Sequence, residues 1–206
     1  MSFILNFFLF LGAIKIYKII WNYYIIDKVP TGAGIILAVG IFTLYLFNIE
    51  NYNQGLGFIL TLLFSLSLIY FLDDIFNLPI TFRIILQVII GIGIASAIFL
   101  DVIYINFSFF VLILTVTILF NLLLTNTINF YDGADLNIAI FSILSSSIFL
   151  YTFLSNPDLL KICITLLIFF IAFSFFNYRS NNIYFGDAGS FFLAALFIIC
   201  ISISLL

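Results

Sequence analysis

Long apolar runs, separated by short polar segments, make up nearly the whole chain. Most runs approach the ~20 residues that an α-helix needs to cross the roughly 30 Å hydrocarbon core of a bilayer, where a helix satisfies its own backbone hydrogen bonds. The runs are continuous rather than alternating, which argues against a β-barrel. The pattern predicts an all-α polytopic transmembrane helix bundle of about eight spans, near 2–21, 34–47, 56–72, 82–100, 104–124, 138–154, 159–176 and 188–206.

Composition supports a membrane protein. Hydrophobic residues make up 66% of the chain and charged residues 7%, and the mean hydropathy of +1.38 exceeds what a soluble domain of 206 residues could bury. No polar linker divides the chain, so residues 1–206 are treated as a single integral-membrane domain. Lys15 and Lys18 follow the first run instead of preceding it, which favours a retained span over a cleaved signal peptide.

The residue types that are missing exclude several kinds of site. The chain has no histidine, which rules out histidine bases, histidine metal ligands and Ser-His-Asp triads. Cys163 and Cys200 lie inside apolar runs and are expected to be small core residues. No basic patch indicates a nucleic-acid partner.

Charge is distributed unevenly between the two sides of the predicted bundle. Alternating the spans places the segments 22–33, 73–81, 125–137 and 177–187 on one side. By the positive-inside rule that side is predicted to be cytoplasmic, with the N-terminus outside. It carries the basic residues Lys15, Lys18, Lys28, Arg83 and Arg179, leaving Lys161 on the other side, and it also carries the acidic residues Asp27, Asp73, Asp74, Asp132, Asp135 and Asp187.

Two adjacent carboxylates, Asp73 and Asp74, end the third run. An ionised side chain at the bilayer centre costs about 2.5–3.5 kcal/mol on insertion scales, so the few charges of this chain are expected to have specific roles. The plain interpretation is a helix end, followed by a helix whose start is signalled by Asn77 and Pro79. Two neighbouring like charges resist joint ionisation unless a cation lies beside them, so a functional pair is the alternative interpretation.

A stripe of polar side chains extends the fifth run. Asn126, Asn129 and Asp132 recur every third residue, so on a continuing helix they share a stripe that drifts by about 60° per step. Gly133 then permits a turn, and Asp135 follows it. An ordinary polar helix end is one interpretation. We favour a site, because two carboxamides and a carboxylate can bind a nucleotide and offer an oxygen to a metal.

The eighth run opens with Gly186-Asp187-Ala188-Gly189-Ser190. Asp187 is a candidate helix N-cap. The same residues also suit a phosphate site, because the glycines allow close approach, the helix N-terminus offers unpaired N–H groups, and Asp187 can bind a bridging cation. The two interpretations are compatible.

These stretches are predicted to meet on one face of the membrane. Several carboxylates at a low-dielectric boundary repel one another unless a further cation binds. All-oxygen donors without histidine or usable cysteine point to magnesium, or to manganese, rather than to zinc or copper. Because magnesium takes part of its coordination from phosphates, the predicted substrate is a nucleotide or a pyrophosphate.

Four stretches then show a resemblance to a known family, the polyprenyl-phosphate N-acetylhexosamine-1-phosphate transferases of glycosyltransferase family 4, which include MraY and WecA. DDIFNLPITFRIILQ at 73–87 resembles the Asp-Asp signature, NTINFYDGAD at 126–135 the second signature, and FNYRSNNIYFGDAGS at 176–190 the third. KVPTGAG at 28–34 is a looser version of the loop with Pro-Thr and paired glycines. The four matches occur in family order.

The resemblance implies an activity, a cofactor and partners. Family members transfer a sugar 1-phosphate from a UDP-sugar to a polyprenyl phosphate with magnesium, releasing UMP. The expected setting is a bacterial inner membrane, with the site facing the cytoplasm and a product used for envelope glycans such as cell wall or lipopolysaccharide. The expected donor is of the UDP-N-acetylhexosamine type, and a homodimer is one arrangement that the sequence allows.

The resemblance also assigns residues to roles. Asp73, Asp74 and Asp187 are the implied catalytic residues, and which Asp of the pair acts as a base, if either does, stays open. The implied metal ligands are Asp73, Asp132 and Asp187. The expected substrate-binding residues are Lys28, Arg83, Asn126, Asn129, Asp132, Asp135, Asn177, Gly186, Gly189 and Ser190.

The sequence departs from the family pattern in two ways. Leu136 stands where the family usually has glycine, and full-length relatives continue past the third signature with more spans and a loop bearing histidine. A short or truncated member is therefore expected, and an inactive or fragmentary homologue that serves as a membrane subunit is the alternative. A transporter or channel is less favoured, because the carboxylates lie at span ends instead of span centres.

Overall fold

Each of the eight apolar runs forms one α-helix in the computed structural model, which describes residues 3–25, 29–48, 54–99, 107–178 and 183–204. Within these ranges no strand occurs, so the predicted all-α class is confirmed. The helices are α1 Phe3–Tyr24, α2 Gly34–Phe47, α3 Gln54–Phe76, α4 Ile80–Phe99, α5 Phe107–Asp132, α6 Asn137–Thr152, α7 Pro157–Ser174 and α8 Gly186–Ser204.

Helix length separates two classes of helix in this multi-pass membrane protein. Six of the described helices are long and apolar enough to cross a bilayer: α1, α3, α4, α5, α7 and α8. The other two, α2 and α6, have 14 and 16 residues. At 1.5 Å per residue they extend about 21 and 24 Å, which is short of the hydrocarbon thickness. A short α2 is expected from the sequence, whereas the sequence gives α6 a slightly longer span.

The α8 helix is the centre of the bundle. It packs against α2, α3, α4 and α5, and every residue from Ala188 to Cys200 is buried. A helix that is apolar on all sides is suited to such a position, because it can present a hydrophobic surface to each neighbour. Cys163 and Cys200 are both buried and free of disulfides, as expected for small core residues.

Two non-helical segments exchange backbone hydrogen bonds at one end of the bundle. The N–H of Tyr184 donates to the carbonyl of Pro30 (2.9 Å), and the N–H of Ala33 donates to the carbonyl of Tyr184 (3.2 Å). The N–H of Gly34 donates to the carbonyl of Phe185 (2.9 Å). Irregular backbone near a membrane needs such partners, since unpaired polar groups are costly there. The exchange places the start of α8 beside the start of α2.

Close packing of backbone makes glycine necessary where these segments meet. Gly32 and Gly186 both have φ of +82°, a region that L-residues with a side chain rarely adopt. A Cβ on Gly186 would lie 2.2 Å from the backbone nitrogen of Gly32. The glycines therefore let the two segments touch directly.

The turn between α5 and α6 explains the departure at Leu136. This residue has φ of +62°, in the left-handed region that favours glycine. Its N–H donates to Oδ1 of Asn177 at 2.8 Å, which holds the turn against the segment before α8. The chain therefore keeps the glycine-type conformation although leucine occupies the position.

Candidate active site

A cleft of about 650 Å³ opens at the end of the bundle where α3 and α5 finish and α8 begins. The four segments that span alternation places on one side all contribute to it, so the predicted convergence is confirmed. Four of the candidate carboxylates and Asn129 are among its lining residues, and they share one compartment. The cleft is lined by Val29, Thr31, Asp73, Asp74, Asn77, Asn129, Asp132, Gly133, Tyr184, Gly186 and Asp187.

Arg83 links two of these carboxylates. Its Nε lies 2.7 Å from Oδ2 of Asp73, and its Nη1 lies 3.1 Å from Oδ2 of Asp187. The N–H groups at Nε and Nη2 donate to the carbonyl of Leu78, both at 3.3 Å, which fixes the guanidinium plane. Asp73 is 1% exposed, and a carboxylate buried to this degree needs a charged partner. One cation is thus shared between two acids.

Asp74 holds the first turn of α8. Its Oδ1 accepts the N–H of Asp187 at 2.8 Å, and its Oδ2 accepts the N–H of Ala188 at 3.1 Å. Because Asp74 lies in the last turn of α3, these two bonds tie the end of one helix to the beginning of another. Both side-chain oxygens are used by backbone.

Asp132 holds the two residues just before that turn. Its Oδ1 accepts the N–H of Phe185 and its Oδ2 accepts the N–H of Gly186, each at 2.8 Å. Together with Asp74 it engages four successive N–H groups, from Phe185 to Ala188. The prediction that this helix start offers unpaired N–H groups to a phosphate is therefore wrong for these four positions, since carboxylates of the chain already occupy them.

Only part of the predicted amide stripe reaches the cleft. The Nδ2 group of Asn129 donates to Oδ1 of Asp187. Asn126 is exposed, and its Nδ2 group donates to the carbonyl of Leu122 on its own helix at 2.7 Å. Two three-residue steps turn a helix about 120° away from the starting direction, so Asn126 faces away when Asp132 faces the cleft.

Several other predicted binding residues lie away from the cleft lining. Asp135 is exposed in the turn after α5. Asn177 is 1% exposed, and its Nδ2 group donates to the carbonyl of Ile183 at 2.8 Å. Gly189 and Ser190 are buried within α8 packing, where the hydroxyl of Ser190 donates to the carbonyl of Gly186 at 3.0 Å. These residues shape the backbone around the site.

Two of the predicted cations lie outside the part of the chain that the structure describes, and some residues that line the cleft were not predicted to do so. Lys28 and Arg179 lie outside the described residues. Tyr184 and Thr31 line the cleft, and both lie within signature stretches, at 176–190 and 28–34, but the sequence assigned neither of them a role. Asn77 was interpretable only as a helix-start signal, and in the structure it lines the cleft with φ of +55°.

The donor atoms suit a hard cation, but the predicted ligand set is not assembled. Among the described residues, no three side chains of the types His, Cys, Asp and Glu are grouped so as to hold a metal ion. Asp132 is engaged with backbone through both oxygens, which separates it from Asp73 and Asp187. Asp73 also accepts the backbone N–H of Leu78 through Oδ1. Its Oδ2 and the Oδ2 of Asp187, however, are both held by the Arg83 side chain. These two acids fit magnesium, which typically takes one or two carboxylates and completes its shell with water and phosphates.

Comparison with known proteins identifies the family. The model of the family "Glycosyl transferase family 4" matches residues 56–205, which is 150 of the 206 residues. A comparison with curated proteins found no match. The matched range holds the three signature stretches that contribute Asp73, Asp132 and Asp187 to the cleft. The chain therefore belongs to glycosyl transferase family 4, a family of polyprenyl-phosphate sugar-1-phosphate transferases.

Proposed function

We propose that the protein transfers a sugar 1-phosphate from a UDP-sugar, of the N-acetylhexosamine type, to a polyprenyl phosphate and releases UMP. The observation that carries this proposal is the convergence of Asp73, Asn129 and Asp187, from three distant stretches, on one cleft at the end of a membrane bundle. Arg83 lies behind this lining and contacts both Asp73 and Asp187. Carboxylates, a carboxamide and a guanidinium are the groups expected around a nucleotide diphosphate and its counterion.

The reaction requires charge neutralisation and positioning more than a strong base. An oxygen of the lipid phosphate attacks the β-phosphorus of the UDP-sugar, and the bond to the oxygen of UMP breaks. A phosphate monoester is largely ionised near neutral pH, so the nucleophile is already charged. Arg83, whose side chain is 29% exposed, is placed to neutralise phosphate charge next to Asp187.

Asp187 and Asp73 are the residues that would hold magnesium, with the Asn129 carboxamide in contact with Asp187 as a further polar group. Magnesium, when bound there, supplies positive charge to the pyrophosphate and to the departing UMP. Asp187 has 20% of its side chain exposed, so it can reach a ligand in the cleft. Asp73 is buried but is among the residues that line the cleft.

Exposed aromatic residues next in sequence to cleft-lining residues support a lipid-borne acceptor. Phe76 precedes the lining residue Asn77 and is 70% exposed, and Phe130 follows Asn129 and is 84% exposed. Large apolar side chains exposed beside a polar cleft are suited to the boundary between lipid and water. With the positive-inside rule, this arrangement supports a cleft on the cytoplasmic face of the membrane. The family resemblance supports a bacterial inner membrane and a role in the synthesis of envelope glycans.

The test is turnover by purified protein. The protein in lipid nanodiscs is incubated with polyprenyl phosphate, magnesium and a panel of UDP-sugars, and UMP and lipid-linked sugar are measured. Asp187→Asn is expected to abolish UMP release while the protein stays folded. Asp158→Asn is the matched control, because Asp158 pairs with Lys161 (3.5 Å) in the first turn of α7, at the opposite end of the bundle.

Two results would contradict the proposal. Near-normal turnover by Asp187→Asn would exclude a metal-holding role for that carboxylate. Failure of a folded wild-type preparation with every donor would favour a membrane subunit without transferase activity.

A further inference from the structure

We propose that Asp74 and Asp132 are positioning residues, which hold the segment from Phe185 to Ala188 and thereby fix the Asp187 carboxylate in the cleft. In this assignment neither acid serves as a base or as a metal ligand. The inference rests on the proposed function and deepens it by dividing the cleft carboxylates into two classes. It replaces the roles that the family resemblance implies for both residues.

The partners of the carboxylates define the two classes. All four oxygens of Asp74 and Asp132 accept backbone N–H groups, at 2.8–3.1 Å. Asp187 instead faces side chains, with Oδ1 on Asn129 and Oδ2 on Arg83. A side-chain partner can rotate away when a ligand arrives, whereas these N–H groups can leave only if the first turn of α8 opens. Asp187 is therefore available to a ligand and the other two acids are not.

Helix geometry explains why two successive aspartates occur in α3. Neighbouring residues on an α-helix point about 100° apart, so adjacent carboxylates can serve different partners. Asp73 directs Oδ2 to Arg83, while Asp74 directs both oxygens to the start of α8. Asp73 is therefore shared between Arg83 and the N–H of Leu78 just after α3, whereas both oxygens of Asp74 hold the backbone at the start of α8.

The glycine before Asp187 fits this arrangement. A Cβ on Gly186 would lie 2.7 Å from Oδ1 of Asp74, so only glycine lets that carboxylate reach the N–H groups. Carboxylates at a helix N-terminus also gain from the helix dipole, and charged acceptors form stronger bonds than neutral ones. These four N–H groups are therefore not available to a donor pyrophosphate, because carboxylates of the chain already occupy them.

Hydrogen exchange tests the backbone contacts without any need for turnover. Asparagine keeps one acceptor oxygen but presents an NH₂ group that cannot accept a bond. Asp74→Asn is expected to speed exchange at the amides of Asp187 and Ala188, and Asp132→Asn at those of Phe185 and Gly186, by on the order of tenfold or more. Exchange is read at single-residue resolution, and Asp158→Asn is expected to leave all four amides unchanged.

Kinetics separate a positioning role from a direct one. Loss of a group that orients another typically lowers activity about 10–100-fold, so Asp74→Asn and Asp132→Asn should lower kcat by this factor with little change in KM for the UDP-sugar. Asn variants should also retain more activity than Ala variants, since asparagine keeps one acceptor. Asp187→Asn should show no turnover.

The assignment is overturned if the four amides stay fully protected in both Asn variants, or if Asp74→Asn or Asp132→Asn is as inactive as Asp187→Asn. Absence of turnover in wild-type protein would instead count against the proposed transferase activity. The exchange data would still decide whether the two carboxylates hold the backbone, so the two failures are distinguishable.

Discussion

Gly34 lies where α2 and α8 touch backbone to backbone, and replacing it by alanine tests that contact. A Cβ at this position would lie 2.1 Å from Cα and 2.8 Å from N of Gly189. Neither atom is the end of a flexible side chain, so α2 and α8 would have to separate by at least about 1 Å. The contact is therefore a sharp test of the geometry around the cleft.

The expected effect has a stability part and a catalytic part. Overpacking of this kind costs about 1–3 kcal/mol of unfolding free energy. The same movement pulls on the bond from Gly34 N–H to the Phe185 carbonyl (2.9 Å), two residues before Asp187. A displacement near 1 Å at a catalytic group can lower turnover by about 100-fold. Gly34→Ala should therefore lose both stability and UMP release.

In the assay, a denaturing detergent is titrated into the purified protein to unfold it. The fluorescence of the single tryptophan, Trp21, which is 3% exposed, reports the unfolding. Gly12→Ala is the matched control, because a Cβ there meets no atom within 4 Å. In a helix, alanine is favoured over glycine by about 1 kcal/mol, so this control should be as stable as the wild type or more so. Equal stability of Gly34→Ala and Gly12→Ala would refute the backbone contact.

Two further predictions concern the turn after α5 and its anchor. Asn177→Ala removes the buried acceptor that binds the N–H of Leu136 and the buried donor that binds the carbonyl of Ile183. The free energy of unfolding should therefore fall by about 2 kcal/mol or more in the same titration. An unchanged unfolding midpoint would contradict this prediction. At Leu136, the left-handed conformation costs a residue with a Cβ about 1–2 kcal/mol, whereas glycine instead loses about 0.5–1 kcal/mol of chain entropy on folding. Leu136→Gly should therefore be more stable than Leu136→Ala by about 0.5–1 kcal/mol. A Leu136→Ala variant at least as stable as Leu136→Gly would show that the turn is not strained.

The helices could be predicted from sequence because hydrophobicity alone sets them. Runs such as 34–47 begin and end where polar or glycine residues interrupt them, and α2 is found at Gly34–Phe47 as predicted. The α5 helix extends beyond the predicted 104–124 to Asp132, since Asn126 and Asn129 continue the helix as polar turns outside the apolar run. The pattern of apolar residues predicts the part of a helix that lies in the membrane, but it does not predict how far the helix continues as a polar segment beyond it.

The site could be predicted as a set of residues but not as a set of contacts. Asp73, Asp74, Asp132 and Asp187 share a cleft because alternating spans bring their helix ends to one side. Which oxygen meets backbone and which meets Arg83 depends on the relative rotation of α3, α5 and α8, and no sequence spacing encodes that rotation. The magnesium site stays a prediction, since the described residues include no ready group of three metal-binding side chains.

The backbone bonds between the loop at Pro30 and the residues Tyr184 and Phe185 impose an order on biogenesis. The ribosome delivers the loop long before its partner, so the early part of the chain must wait at the hydrated surface of the membrane with these peptide groups solvated. When α8 docks, these peptide groups exchange their bonds to water for bonds to Tyr184 and Phe185, and the start of α8 completes the cleft. Formation of the cleft therefore depends on α8, because a chain with α8 undocked lacks Tyr184, Gly186 and Asp187 from the lining.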